Sequence, residues 1–366
     1  MELQERINAF SKLSQSLKLF LSLAEQDKIE NYDGILHTEF NDLNLAINSS
    51  FHYNGWFTRE NILFSIKSIA DSLDESNLNE WINKYEISTF NDGVQPKKIG
   101  VVMAGNIPMV GFHDMLCVLI CGHVFYGKLS SQDKLLLPAL TNILFAIDNR
   151  FRENIEFTMA PFKGLEAVIA TGSDNSSRYF DYYFGKYPNI IRKNRNSIAI
   201  INGNETLQDI EALGKDIFQY FGLGCRNISK LMVPKGYDFK QFFEGIFNYK
   251  EISINNKYAN NYDYNKTVYL LGKVPLLENG FLIIKEDKGL SSPQACLFYE
   301  YYEDESYLTN RLIEDCNKIQ CLVSNQKTPE QLLSNNLEYT AFGKAQSPNL
   351  WDYADGVDTI KFLMAL

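Results

Sequence analysis

Basic clusters are scarce in this chain of 366 residues: 35 lysines and arginines are outnumbered by 45 aspartates and glutamates, for a formal charge of −10. No run of Lys and Arg with interleaved aromatics offsets that balance, which argues against nucleic acid as a main partner. Cysteine is sparse too, with six in all, at 117, 121, 225, 296, 316 and 321. A chain of this length buries a core without cross-links, so the six read as reduced thiols. Long apolar runs are missing. The longest, 115–127 and 135–147, are short of a membrane span and are interrupted by His123, Pro138 and Asn142. The start, MELQERINAF, carries early acidic residues and spaces Leu3, Ile7, Phe10, Leu13, Leu17 and Phe20 as a helix does. It therefore lacks the continuous apolar region of a signal peptide, and the expected compartment is the cytoplasm. With 45% apolar and 22% charged residues, 10 prolines and 22 glycines, the composition fits neither disorder nor a low-complexity polymer. An ordered globular protein remains, long enough for about two domains.

Up to about residue 86 the pattern is helical, with Ile62, Ile66, Ile69 and Leu73 three and four apart. Asn91-Asp92-Gly93 signals a turn. After it, short β-branched or aromatic runs alternate with helical stretches. Strands are expected at 98–105, 123–129, 155–160, 166–173, 197–203, 230–234, 267–272, 280–286, 295–302 and 319–325, and the Asn- and Tyr-rich stretch 255–265 as a polar loop. Strands separated by helices imply parallel α/β sheets with both faces covered. A domain boundary is placed near residue 202, because Thr206 can cap a fresh helix with Leu207, Ile210, Leu213, Ile217 and Phe218 on one face.

Four segments could carry chemistry. In YFGLGCRNISKLMVP, Gly222 and Gly224 put Cys225 on a tight turn before a strand, where substrate and oxyanion could both approach the thiol. The same letters also suit a small buried cysteine behind a glycine helix cap. A dinucleotide fingerprint does not fit, because a helix precedes GLGCRN and Asn227 takes the third glycine position. In GNIP (105–108), Asn106 follows the first strand and could aim amide donors at developing negative charge, or be a turn asparagine before proline. Lys128 ends a strand and is followed by Ser130 and Ser131, a set that suits a phosphate or ribose as well as solvent. Gly172 and Ser173 lead from a strand into a polar helix start that could meet a pyrophosphate or simply be capped. No metal is expected. Cys117 and Cys121 are not a CxxC pair, His113 and His123 lack HExxH spacing, and the acids at 352, 355 and 358 do not match an EF-hand.

Taken in chain order, GNIP, GKLSS, TGS and GLGCRNISKL resemble the aldehyde dehydrogenase superfamily. Together with FGKAQSPNLWDYADGVDT (342–359), they look most like its acyl-CoA reductases, related to the fatty-acid reductase of bacterial bioluminescence. The resemblance covers roughly 98–360. It implies two Rossmann-like parallel-sheet domains with a helical N-terminal region: helices over residues 1–90, a cofactor domain 91–202, a catalytic domain 203–340 carrying Cys225, and a segment 341–366 returning to the cofactor domain. It also implies roles, with Cys225 as nucleophile, Asn106 in the oxyanion hole, Lys128 with Ser130 and Ser131 at the adenosine ribose, and Gly172 with Ser173 at the pyrophosphate.

Two departures from the wider family refine this reading. Arg192, in IRKNRNSIAI, falls where aldehyde oxidisers carry the glutamate that activates water, and a site without that base suits reduction of a thioester better than hydrolysis. Ser131 stands where NAD-preferring members have a carboxylate, so NADPH is admissible. The resemblance thus implies NADPH-dependent reduction of an acyl-CoA to an aldehyde. The alternatives are reduction of another activated acyl group, such as an acyl phosphate, and a non-catalytic acyl- or nucleotide-binding subunit. Homo-oligomers or an acyl-delivering partner enzyme are compatible with it, and no partner follows from the residues.

Overall fold

The computed structural model describes residues 1–86, 90, 95–172, 174–325 and 337–366, apart from the side chains of 174–176. The expected turn Asn91-Asp92-Gly93 and the candidate Ser173 lie outside the described residues. The chain forms two units, one built from Met1–Lys193 with Asn349–Leu366, the other from Asn194–Pro348.

The first unit opens with helices α1 (Leu3–Glu25), α2 (His37–Ser50), α3 (Arg59–Ser72) and α4 (Glu75–Ile82). The spacing read from the sequence is the buried stripe of α1: Leu3, Ile7, Phe10, Leu13, Leu17 and Phe20 all lie inside. Thr58 caps α3 by accepting from the Asn61 N–H, and Ile62, Ile66 and Ile69 face the same core. The sheet that follows has strands β1 (Lys98–Val102), β2 (Val124–Lys128), β3 (Ile155–Thr158), β4 (Ala167–Thr171) and β5 (Asn189–Arg192) in the order β3-β2-β1-β4-β5, all parallel. Its helices are α5 (Phe112–Ile120), α6 (Leu136–Ile147) and α7 (Asp174–Phe184). The strand order reverses between β1 and β4, so the loops after β1, β2 and β4 share the edge where such sheets bind ligands.

The second unit has β6 (Asn196–Ile200), α8 (Leu207–Phe218), β7 (Ile228–Pro234), α9 (Lys240–Gly245), α10 (Asn256–Leu271), β8 (Leu277–Glu278), β9 (Ile283–Glu286), β10 (Cys296–Tyr302), α11 (Glu305–Glu314), β11 (Ile319–Val323) and β12 (Glu338–Thr340). Its sheet order is β12-β11-β6-β7-β10-β9-β8, parallel except for the β8–β9 pair. The chain ends in α12 (Thr359–Met364), in the first unit.

The two parallel-sheet α/β units and the helical start agree with the sequence reading, while several elements differ. The stretch 267–272 is not a strand and 255–265 is not a loop, because both belong to α10. Asn255 caps that helix by accepting from the N–H groups of Lys257 and Tyr258, and Tyr258, Tyr262 and Asn265 form its buried face. Of TVYLL, Val268, Leu270 and Leu271 lie on the solvent side, where Leu271 is 81% exposed, and only Tyr269 is half-buried. Strand β5 was not expected from its four residues. Strand β6, read as lying ahead of a boundary near 202, pairs with β7 and β11 in the second unit.

Candidate active site

In the first unit, hydrogen-bond register sets Val102 beside Lys128 and Lys128 beside Thr158, so the loops that leave β1 and β2 start level. These loops then press together. A Cβ on Gly105 would lie 2.4 Å from Ser130 Oγ, so a larger residue there would push the GNIP and Lys128–Ser131 segments apart. Both carbonyls that bound GNIP are held from the helical region: buried Asn54 donates to Gly105 O at 2.9 Å and Ser65 Oγ donates to Pro108 O at 3.2 Å. Asn106, Lys128 and Ser130 are half-buried, Ser131 is exposed, and Gly172 is half-buried at the end of β4. The structure therefore brings Asn106, Lys128, Ser130, Ser131 and Gly172 to the edge of one sheet formed by the C-terminal ends of β1, β2 and β4.

In the second unit, the turn carrying Cys225 is built by an abrupt end to α8. Thr206 and Asp209 form a capping box at its start. At its end, Tyr220, Phe221 and Gly222 run consecutively left-handed, with φ of 54°, 57° and 76°. For a residue other than glycine that conformation costs roughly 1–2 kcal/mol. Burial of the Tyr220 and Phe221 side chains offsets it. Asn227, also buried, ties the turn to the helix: its amide donates to Asp216 O and Gln219 O, and its oxygen accepts from the Gly224 N–H at 2.8 Å. Ser197 Oγ donates to Cys225 O at 2.9 Å from the start of β6.

A second tier supports the turn from below. Arg226 donates to Ala345 O at 2.6 Å and pairs with Glu338. Asp216, with no exposure, accepts from the N–H groups of Gly343 (2.6 Å) and Ala345 (3.0 Å). Burial raises its carboxyl to about 6 against the pull of those two donors. The FGKA letters of the late motif are thus the strip on which the cysteine turn rests.

The thiol of Cys225 is half-buried, with Asn194 Oδ1 3.8 Å from its sulfur. Four other cysteines are buried, and burial pushes all their thiols up: Cys117 and Cys121 strongly, Cys296 to about 12 and Cys321 to about 11. Such thiols stay protonated and unreactive at neutral pH. Cys225 and Cys316 are the half-buried ones.

Arg192 has a different role from the one its sequence position suggested. It ends β5 inside the first unit, where its guanidinium holds Asp114 at 2.6 and 2.8 Å and donates to Thr359 Oγ1 at 3.1 Å. It is a buried strut between β5, α5 and α12. The residue of that stretch that meets the thiol is Asn194, which sequence reasoning passed over, as it did Asp216 and the tethering role of Asn227. The only signal in the letters was their nearness to β6 and to the GLGC turn.

Among the described residues, no group of three His, Cys, Asp or Glu is placed to hold a metal, and no helix is long and apolar enough to cross a membrane. No protein-family model and no curated protein matches the chain. Solved structures do. Aldehyde dehydrogenase 21 from Physcomitrella patens, determined with its reaction product succinate, aligns with a TM-score of 0.63 at 14% identity, over 100% of this chain and 84% of that one. An NAD-dependent aldehyde dehydrogenase from Sinorhizobium meliloti gives 0.61 at 11%, over 93% and 74%. An NADP-dependent enzyme from E. coli gives 0.56 at 13%, over 93% and 82%. The chain has the fold of the aldehyde dehydrogenases.

Proposed function

We propose that the protein reduces an acyl-CoA thioester to an aldehyde with NADPH, through a thioacyl intermediate on Cys225. The observation that carries this reading is the Cys225 turn: a half-buried thiol on a tethered glycine turn, met by the amide of Asn194. An amide cannot deprotonate water, so a thioacyl group formed there has no base at Asn194 to hydrolyse it.

The donor set at the first sheet suits a phosphorylated dinucleotide. Lys128 supplies a cation, Ser130 and Ser131 supply hydroxyls, and the loop after β4 begins at Gly172. Ser131 brings no negative charge against a 2′-phosphate. Bound NADPH supplies the hydride. The chain's own residues do the rest. Cys225 as thiolate attacks the thioester carbonyl, and the C–S bond to coenzyme A breaks, releasing a thiolate that takes up a proton. The Cys225 N–H donates to the oxyanion at each tetrahedral stage, the role that the family resemblance also gives to Asn106. After reduction the thiohemiacetal on Cys225 collapses, expelling the aldehyde and returning the sulfur.

The test is incubation of the protein with acyl-CoA and NADPH, assayed for free thiol and aldehyde. Cys225→Ala should abolish both products, and undiminished turnover by that variant would refute the assignment. Asn194→Glu should divert the thioacyl enzyme toward hydrolysis, seen as carboxylate released without NADPH consumption. Turnover with an acyl phosphate but not with acyl-CoA would replace the substrate and keep the thiol chemistry.

A further inference from the structure

The loop bearing Asn106 is fixed at three peptide groups. Asn54 and Ser65 hold the carbonyls of Gly105 and Pro108. The third hold comes from the other loop of the same edge, where Asp133 Oδ2 accepts from the Met109 N–H at 2.7 Å. Met109 is left-handed, with φ of 58°, and is the residue at which the chain turns from GNIP toward α5. A left-handed methionine needs an external restraint, and this hydrogen bond supplies one. Asp133 itself is buried, 9% exposed, and its Oδ1 has no partner with hydrogen-bond geometry. Evolution of a stable core alone would not favour that arrangement, since a buried carboxylate with an unsatisfied oxygen is costly.

We propose that Asp133 is a positioning residue for the reductase reaction: it couples the Lys128–Ser131 loop to the Asn106 loop by holding the left-handed turn at Met109. The proposal rests on the function given above, because that reading is what makes the aim of Asn106 matter. Through Asp133 and the Gly105–Ser130 contact, a displacement of the cofactor-side loop is passed to the oxyanion donor. Asparagine can substitute in this role. Oδ2 takes the Met109 N–H, and the Leu136 N–H at the start of α6 also acts on the carboxyl group, so an amide whose oxygen sits at Oδ2 keeps the acceptor that Met109 needs.

The experiment compares full-length Asp133→Ala and Asp133→Asn with the parent protein by amide hydrogen exchange and by steady-state kinetics with acyl-CoA and NADPH. D133A should speed exchange at the Met109 amide by about tenfold or more. It should lower kcat by about a hundredfold, the usual consequence of a misplaced donor, with KM for NADPH unchanged. D133N should restore both readings. Unaltered exchange at Met109 in D133A overturns the clamp, and a loss of kcat that D133N does not restore, or a rise confined to KM, overturns the positioning role. Should D133A fail to fold, Asp133→Glu, which shifts the carboxylate outward by one methylene, takes its place with the same expected losses. If the parent protein does not reduce acyl-CoA, the function fails while the exchange comparison still decides the clamp.

Discussion

Single residues here differ most in what burial does to their charge. Asp133 and Asp216 both have carboxyls raised to about 6, in each case chiefly by desolvation. A raised folded-state value means that the folded protein holds the proton more tightly than the unfolded chain. Each group therefore contributes stability that is fully present below the unfolded value near 4 and is lost as pH rises through 6. For Asp133 the shift corresponds to about 3 kcal/mol. D133N escapes that loss, so its melting temperature should exceed that of the parent at pH 7.5, and the difference should shrink on acidification and vanish below about pH 4, under the unfolded value. A difference that grew on acidification would contradict the burial argument. None of this was legible in the sequence, where Asp133 is one more polar letter in a loop. Cys225 was legible, because glycines on both sides of a thiol are a local signal, whereas the amide beside its sulfur depends on β6 and β7 lying next to one another.

Secondary-structure elements show where local preference and tertiary context diverge. The α1 stripe could be read directly because every buried position follows helical spacing. In α10 that signal fails. Its buried face is Tyr258, Tyr262 and Asn265, while Val268, Leu270 and Leu271 point outward, so hydrophobicity marks the wrong side and an Asn cap decides the start. Strand β5 was missed because its only apolar letters are Ile190 and Ile191, set between Asn189 and Arg192. At this scale the α8–β7 connection makes a firm prediction. Asp216→Ala leaves the N–H groups of Gly343 and Ala345 without their acceptor. The expected cost is about 3 kcal/mol, measured by denaturant unfolding, with faster proteolysis around residues 342–345. A variant as stable as its parent would show that the strip is held by other contacts.

At the scale of the whole molecule, the first unit is discontinuous in sequence. Its final segment is not a loose tail. Tyr353 accepts from the Trp81 indole N–H at 2.7 Å, Leu350 O accepts from His113, Leu363 O meets the His123 ring, and Thr359 accepts from Arg192. Ile360 and Leu363 complete the apolar core. A chain shortened to end at Pro348 keeps every strand of both sheets and loses these closures. It should therefore lose the cooperative unfolding of the first unit and any stabilisation by NADPH, read by calorimetry with and without the nucleotide. An unchanged first transition would mean that the segment is dispensable. Sequence reading anticipated two parallel-sheet units because alternation of strands and helices is a property of long stretches. The exact exchange of segments between units is a property of pairing partners, which letters do not reveal.

The same interleaving bears on how the protein is made. As the ribosome lengthens the nascent chain, residues 194–348 emerge complete, whereas the earlier residues 1–193 must wait with an open core until synthesis has passed residue 366. The places of Ile360 and Leu363 in that core stay unfilled during translation, and the second unit is the one able to mature first.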